Sequence, residues 1–364
     1  MYPPKLQIQL FHLDKPILLG LFILACFGLV ILYSAAGQDL DIVFRQAVRI
    51  GMGFGVLVLL AQLRLQQMIR WIPWLYVGGV LLLMLVLIIG DISKGSQRWL
   101  DLGVVRFQPS EMMKIIVPLM VTWYLSDRPL PPNFTRVIVS VLIVAVPVLL
   151  IAKQPDLGTA LLIGSSGMFV LFLSGLSWKI IFSVIAAMPV VGWLLWHVMH
   201  EYQRQRVLTL LDPENDPLGT GYHIIQSIIA IGSGGMYGKG WLNGTQSHLE
   251  FLPERTTDFI FAVYSEEFGL LGIILLLIVY LFIITRGIII ASRAQGTFAR
   301  LFSGGLIFTF FVYIFVNMGM VMGMLPVVGL PLPLISYGGT SVVTLMAGFG
   351  LLMAVNSQRH LQYN

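Results

Sequence analysis

The segment LPERTTDFIFAVYSEEFGLLGIILLLIVYLFIIT, residues 252–285, has a charged beginning and a long apolar end. The part from Phe268 to Thr285 carries no charge and, at ~1.5 Å per helical residue, extends about 27 Å. The hydrocarbon core of a bilayer is ~30 Å thick, so this part alone nearly crosses it. We therefore predict a membrane helix over 258–285 whose acidic residues lie outside the hydrocarbon, with Asp258 roughly 15 Å above the apolar run.

The rest of the chain is equally apolar. Of its 364 residues, 57% are hydrophobic and only 11% are charged, whereas soluble domains average about 25% charged. Membrane-spanning segments must satisfy their own backbone, so we predict helices. The sequence predicts an all-α polytopic membrane protein, a single membrane domain over 1–364 with a large extracytoplasmic loop at 200–257 between helices 7 and 8. The ten predicted transmembrane helices are 16–36, 43–63, 71–90, 109–125, 136–152, 157–175, 178–199, 258–285, 301–324 and 335–356.

Ten spans place both termini on one side of the membrane. If that side is the cytoplasm, the 22 basic residues divide evenly between the two faces, and the positive-inside rule does not decide. Of the 17 acidic residues, only Asp14 and Asp127 fall on the cytoplasmic side. Acids carry little topological weight, so they favour this orientation without fixing it.

Several classes of protein and site are disfavoured. The first apolar run is too long for a signal-peptide core and lacks a clear cleavage site. The single cysteine, Cys26, lies inside that run, which excludes an internal disulfide. The basic residues are scattered between spans, so we expect no nucleic-acid partner. No histidine spacing indicates a metal site.

The acids of the opening segment have two interpretations each. Asp258 could simply stabilise the first turn of a helix capped by Thr256 or Thr257, or it could act on a substrate. Glu266 and Glu267 point in different directions on a helix, so one of them should face protein. That one could form an ion pair with a neighbouring base or belong to a site.

Two further charged segments end near the same membrane face. Pro109 begins a predicted helix in which Glu111 and Lys114, three residues apart, share a face. They could neutralise each other as a buried pair or align charge toward a polar substrate. Asp156 follows Pro155 at another helix start, where it is either a helix-stabilising carboxylate or part of the same site.

The long loop contains two patterns. Residues 222–232, YHIIQSIIAIG, have isoleucines at helical spacing and could form an amphipathic helix in the membrane interface. Residues 232–241, GSGGMYGKGW, lack the spacing of a Walker phosphate loop. Their backbone amides and Lys239 could still cradle an anion.

The ionisable residues thus gather at one predicted face and leave the middle of the membrane nearly uncharged. A solute transporter would place them near the midplane. We therefore favour binding or chemistry at the membrane surface, on a substrate anchored in lipid.

The segments 93–115 (SKGSQRWLDLGVVRFQPSEMMKI), 154–160 (QPDLGTA), 216–227 (DPLGTGYHIIQS), 232–269 and 325–341 (LPVVGLPLPLISYGGTS) resemble the SEDS family of bacterial membrane proteins. The resemblance covers essentially the whole chain and is closest to members that act in cell elongation. It implies a ten-helix SEDS fold in the inner membrane, with cytoplasmic termini and an active site on the periplasmic face. Phe268 stands where the family usually has leucine.

The resemblance also implies a reaction. SEDS proteins are peptidoglycan glycosyltransferases that polymerise lipid II and release undecaprenyl diphosphate. Their essential aspartate corresponds to Asp258, for which we predict the role of general base in an inverting transfer to the GlcNAc 4-hydroxyl. The other predicted substrate-binding residues are Arg45, Arg49, Lys94, Arg98, Trp99, Glu111, Lys114, Asp156, Lys239, Glu266 and Glu267.

The sequence also leads to expectations about a cofactor and about partner proteins. A divalent cation, Mg²⁺ or Mn²⁺, would fit between the diphosphate and the carboxylates, but no ligand spacing demands one. The implied partners are a class B penicillin-binding protein transpeptidase and other proteins of the elongation complex. Two other functions remain open: a lipid II flippase, and a scaffold without chemistry for the penicillin-binding protein.

Overall fold

The computed structural model describes residues 13–93, 96–101, 106–198, 201–216, 219–245 and 254–361. Most of them belong to α-helices, and each predicted span overlaps one of these helices. In chain order the helices are α1 Lys15–Ala35, α2 Leu40–Ala61, α3 Leu65–Ile89, α4 Pro109–Ser126, α5 Phe134–Lys153, α6 Leu157–Leu173, α7 Trp178–Val198, α8 Glu201–Leu211, α9 Thr220–Gly234, α10 Ile260–Arg293, α11 Thr297–Val321 and α12 Thr340–Leu361.

Seven helices of the described residues are long and apolar enough to cross a membrane, namely α1, α2, α3, α5, α10, α11 and α12. Helix α6 is apolar but shorter, and α4 carries the charged side chains of Glu111 and Lys114. The chain is therefore a polytopic helical membrane protein, as predicted. The predicted number of ten spans goes beyond these seven.

The connection between α3 and α4 is a local exception in the predicted all-α fold. That connection forms a small antiparallel sheet of β1 Asp91–Ser93, β2 Ser96–Asp101 and β3 Arg106–Phe107. Trp99 lies opposite Asp91 and Leu100 opposite Phe107. Strand pairing satisfies backbone groups of this connection, and the Gln97 side-chain amide donates a 2.8 Å hydrogen bond to the carbonyl of Gly90 at the end of α3.

Helix α10 differs from the predicted helix at both ends and in the middle. It begins at Ile260 and ends at Arg293, and its helical geometry breaks at Gly269, where φ is 62°. The break is filled by the glycine-rich loop that follows α9. The amides of Lys239 and Gly240 donate to the carbonyls of Glu266 and Glu267, and the amides of Leu270 and Leu271 donate to the carbonyls of Gly235 and Met236.

The loop can approach this closely because Gly269 has no side chain. A Cβ atom there would lie 2.3 Å from the amide nitrogen of Gly238. The exchanged hydrogen bonds satisfy the groups that a broken helix would otherwise leave open, which a membrane environment penalises strongly. The acidic end of α10 is thereby fixed to the loop before it.

The predicted interfacial helix in the long loop is observed as α9, but its position is set by protein contacts. Ile224 is buried, and the Ser227 hydroxyl donates a 2.7 Å hydrogen bond to the carbonyl of Val321 at the end of α11. Ile228 and Ile229 stay exposed. One face of α9 therefore packs on the bundle and the other is open.

Candidate active site

Asp258 lies just before α10 in a segment whose backbone is held at three consecutive residues. The carbonyl of Thr256 accepts from the amide of Tyr337 at 2.8 Å. The carbonyl of Thr257 accepts from the Ser336 hydroxyl at 2.6 Å. The carbonyl of Asp258 itself accepts from the Asn317 side-chain amide at 3.0 Å. The position of the Asp258 backbone is therefore defined by α11 and by the segment between α11 and α12.

The interpretation of Asp258 as a first-turn residue capped by a threonine is wrong. The residue before α10 is Phe259, which makes no side-chain capping bond. The Asp258 carboxylate instead faces Gly329, since a Cβ atom at that glycine would lie 3.3 Å from Oδ2. Gly329 has a φ of 72°, a conformation that disfavours any side chain there. The backbone at Gly329 thus lies beside the carboxylate, and we call the segment Val328, Gly329 and Leu330 the wall.

Asp156 is the N-cap of α6, as one of its two interpretations required. Its Oδ1 accepts from the amide of Thr159 at 3.1 Å. Its Oδ2 accepts from the side-chain amide of Gln108 at 3.2 Å. Arg98 Nη1 lies 3.7 Å from Oδ1, and Nη2 of the same guanidinium donates to the Pro155 carbonyl at 2.7 Å. The carboxylate joins the sheet, α4 and α6.

The same wall connects Asp156 to Asp258. A Cβ atom at Gly158, in the first turn of α6, would lie 2.4 Å from the carbonyl oxygen of Val328, which directly precedes Gly329. The segment between α11 and α12 therefore lies against the start of α6, which carries Asp156, and also against Asp258.

Glu111 and Lys114 form a buried ion pair with 2.6 Å between Oε1 and Nζ. Lys114 Nζ also lies 5.1 Å from the centre of the Tyr313 ring, within the range of a cation–π contact. The self-neutralising interpretation of the pair is therefore confirmed. Glu111 nevertheless lines a large groove.

This groove has a volume of about 1090 Å³ and runs between α2, α3, α4 and α12. Arg49, Trp99 and Glu111 lie at one end, where the sheet covers the helices. From there, apolar side chains such as Leu60 and Leu351 continue along the helices for roughly 16 Å at ~1.5 Å per residue. A polar end joined to a long apolar channel suits a molecule with a charged head and a lipid tail.

Arg49 is placed to meet an anion at the polar end. Its guanidinium carbon lies 4.7 Å from the centre of the Tyr337 ring, which holds the side chain in place while leaving its donors available. Tyr337 also lines the groove and donates its backbone amide to Thr256, two residues before Asp258. Arg49 and the Asp258 segment therefore contact the same residue.

The structure separates the other predicted residues from this group. Arg45, one turn before Arg49, is exposed and does not line the groove. Lys94 lies outside the described residues. Lys239 pairs with Glu266 at 2.7 Å, and Glu266 also accepts from the amide and hydroxyl of Thr245.

In the structure, the lysine of the glycine-rich loop and the next amide, which could have cradled an anion, bind to α10. The amides of Lys239 and Gly240 donate to α10 carbonyls, and the Lys239 ammonium is engaged by Glu266. Both glutamates are fully buried, and Glu267 accepts a hydrogen bond from Ser34 of α1. Glu266 and Glu267 fasten the loop and α1 to the upper part of α10.

The residues that hold Asp258 were not singled out from the sequence. Asn317 is an isolated polar residue in an otherwise apolar stretch of α11, and such residues are costly in membranes unless they bond to protein. That signal was available. Ser336 and Tyr337 stand in a loop segment, and nothing in their local pattern indicates that they contact residues near 257.

Comparisons with known proteins all identify the same family. The cell cycle protein family that includes FtsW, RodA and SpoVE matches residues 9–361. The chain is 54% identical over 351 residues to the peptidoglycan glycosyltransferase MrdB of Escherichia coli K12, covering 96% of this chain and 95% of that protein. It is 32% identical to the peptidoglycan glycosyltransferase RodA of Treponema pallidum, covering 78% of this chain and 82% of that one.

Solved structures agree. A chain from a study of how a peptidoglycan synthase complex coordinates polymerization and crosslinking superposes with a TM-score of 0.83 at 34% identity, covering 95% of this chain and 98% of that chain. The rod shape determining protein RodA of Thermus thermophilus superposes with a TM-score of 0.73 at 29% identity, covering 98% and 99%.

Proposed function

The chain belongs to the FtsW/RodA/SpoVE family, and from this premise we propose that it is the peptidoglycan glycosyltransferase of cell elongation, polymerising lipid II. Its similarity to MrdB over nearly the whole length of both chains supports the activity. The observation in the structure that carries the proposal is the groove, whose polar end shares Tyr337 with the Asp258 segment.

Lipid II joins a charged diphosphate to a long apolar prenyl chain, and the groove offers both environments in the matching order. Its apolar length would bind prenyl carbon, while Arg49, Trp99 and Glu111 would contact the diphosphate and sugar. The prenyl chain enters the groove from other apolar lipid and not from water, so packing contacts with these side chains hold it. The lipid part can therefore anchor the substrate while the head group reaches the reacting residues.

Asp258 acts as the general base. Its carboxylate takes the proton from the 4-hydroxyl of the acceptor GlcNAc as that oxygen attacks C1 of the donor sugar. The bond between C1 and the phosphate oxygen breaks, and its electron pair leaves with undecaprenyl diphosphate. A single displacement turns the α-linked donor into a β-1,4 linkage, so the anomeric carbon is inverted.

Arg49 is the group we assign to the leaving diphosphate. Of the described basic residues that were predicted to bind substrate, Arg49 is the one that lines the groove and has no carboxylate partner. Arg98 and Lys114 each pair with an acid in the structure. A guanidinium binds phosphate oxygens through two parallel hydrogen bonds, which strengthen as negative charge develops on the leaving group.

A divalent cation would be held mainly by the diphosphate. Among the described residues, no group of three or more histidine, cysteine, aspartate or glutamate side chains is close enough to hold a metal ion. Mg²⁺ commonly binds through substrate phosphates with one or two carboxylates, so Glu111 at the polar end is the candidate protein ligand. The ion would supply charge neutralisation at the leaving group.

For the topology, ten spans are the arrangement we favour, with α4, α6 and α7 added to the seven long apolar helices. This arrangement gathers Arg49, Trp99, Asp156 and Asp258 at one face of the inner membrane. Lipid II polymerisation takes place at the periplasmic surface, so that face is periplasmic and both termini are cytoplasmic. The solved synthase complex, named for polymerization and crosslinking, supports a class B penicillin-binding protein as partner.

Polymerisation of labelled lipid II by the purified chain tests the function. We expect glycan strands of many disaccharides without any added polymerase. Transport of lipid II across vesicles without strand formation would instead favour the flippase. Strands that appear only when another polymerase is added would favour the scaffold.

A further inference from the structure

We infer that Asn317 is a positioning residue for the reaction: its side-chain amide fixes the Asp258 carboxylate relative to the wall formed by Val328, Gly329 and Leu330. This inference rests on the proposed role of Asp258. It concerns a residue that does not itself reach the substrate, because Asn317 is fully buried in α11.

One amide nitrogen makes both connections. Asn317 Nδ2 donates to the carbonyl of Asp258 at 3.0 Å and to the carbonyl of Leu330 at 2.7 Å. Leu330 directly follows Gly329, the residue that the Asp258 carboxylate faces. The two hydrogens of the Asn317 side-chain amide therefore set the spacing between Asp258 and the wall beside its carboxylate.

Among the described residues, the Asn317 side-chain amide forms hydrogen bonds through its nitrogen and not through its oxygen. No donor among the described residues lies within hydrogen-bonding distance of Asn317 Oδ1. Leucine of similar volume would remove that oxygen, but it would also leave the carbonyls of Asp258 and Leu330 without this donor. The contribution of Asn317 is therefore the link that its nitrogen makes between these two carbonyls.

A second donor supports the same function from the other side. The Ser336 hydroxyl donates to the Thr257 carbonyl and accepts from the Leu332 amide at 2.8 Å. Together, Asn317 and Ser336 hold the residues on both ends of the Thr257–Asp258 peptide bond. General-base catalysis needs the carboxylate within about 3 Å of the hydroxyl, and small displacements of such groups lower turnover strongly.

The test measures initial rates of lipid II polymerisation against lipid II concentration for Asn317→Leu, purified and reconstituted in vesicles. We expect kcat to fall at least tenfold while KM changes less than threefold, because the groove is untouched. The matched control is Asn356→Leu. The Asn356 amide donates to Asp14 where α1 and α12 meet, and this variant should keep wild-type kcat.

Two outcomes overturn the inference. One is a folded Asn317→Leu protein with kcat within twofold of wild type. The other is a fall in kcat matched by the same fall in the Asn356→Leu control, which would indicate a general effect on folding. If Asn317→Leu does not fold, Ser336→Ala replaces it with the same expectation for kcat and KM, and an unchanged kcat overturns the inference.

Asp258→Asn is measured in parallel to separate this inference from the proposed function. If Asp258→Asn polymerises lipid II at the wild-type rate, the role of Asp258 is wrong and the positioning role fails with it. If Asp258→Asn is inactive while Asn317→Leu turns over normally, only the positioning role fails.

Discussion

Lys114 and Glu111 lie 2.6 Å apart, and the two residues are 3% and 6% exposed. Charges that deep are retained only when each compensates the other. Because Glu111 also lines the groove, the pair connects the stability of α4 with the surface that the substrate would contact.

Lys114→Met should therefore lower the free energy of unfolding by about 3–5 kcal/mol, since it leaves a buried carboxylate without its cation. Thermal unfolding in detergent provides the measurement. The control is Lys153→Met, because Lys153 is exposed at the end of α5 and its loss should change stability by less than about 0.5 kcal/mol. Equal melting temperatures for the two variants would contradict the buried pair.

The double variant Glu111→Gln with Lys114→Met separates stability from activity. It removes both charges, so much of the stability lost in Lys114→Met should return. We expect polymerisation to stay low, because the groove then lacks the carboxylate near its polar end. Recovery of full activity together with stability would reduce the pair to a structural role.

Arg49→Gln should weaken binding of lipid II by about 10-fold or more, since a hydrogen bond to a charged group contributes about 1.5–3 kcal/mol. The measurement is KM for lipid II, or its affinity in a direct binding assay. Arg45→Gln is the matched control one turn away on α2, exposed and outside the groove. An equal effect of the two substitutions would contradict the assignment of Arg49 to the diphosphate.

Gly269→Ala should destabilise the protein strongly. A methyl group would meet the Gly238 amide at 2.3 Å, and this residue has φ 62° and ψ −163°, a conformation essentially restricted to glycine that costs on the order of 1–3 kcal/mol for alanine even without the clash. The yield of folded protein and its melting temperature report the effect. Gly55→Ala is the control, because nothing lies within 4 Å of a Cβ atom at that membrane-helix glycine. A Gly269→Ala protein as stable as the control would show that the loop is not fastened there.

Removal of divalent cations tests the expected metal dependence. Polymerisation should fall in excess chelator and return with Mg²⁺ or Mn²⁺, because the ion would neutralise the leaving diphosphate. The binding of lipid II to the apolar groove should be less affected than turnover. Unchanged turnover in chelator would exclude a required cation.

Much of this architecture can be predicted from apolar runs. Helix α1 was expected at 16–36 and is found at Lys15–Ala35, and α5 was expected at 136–152 and is found at Phe134–Lys153. Uncharged segments of bilayer length leave the chain little choice but a helix. Spacing also predicted that Glu111 and Lys114 share a face, and that Asp156 begins a helix.

What the sequence did not predict depends on contacts between distant residues. The break at Gly269 needs hydrogen bonds from the loop at residues 235–240. The sequence pattern within α10 does not predict contact with that loop. The same holds for Asp258. Its local sequence resembles a helix start, whereas the structure places it against Gly329 through bonds from Asn317 and Ser336. Local propensity describes neighbours along the chain, and the site is assembled from segments that are far apart in it.

The central claim is that Asp258 is the base for glycan transfer. Its most direct test compares wild type and Asp258→Asn, purified alike, in polymerisation of labelled lipid II. Asparagine keeps the size of the side chain but cannot accept the proton, so we expect folding and lipid II binding to be retained and the rate to fall by about 10²–10⁴-fold. Polymerisation by Asp258→Asn at the wild-type rate would contradict the claim.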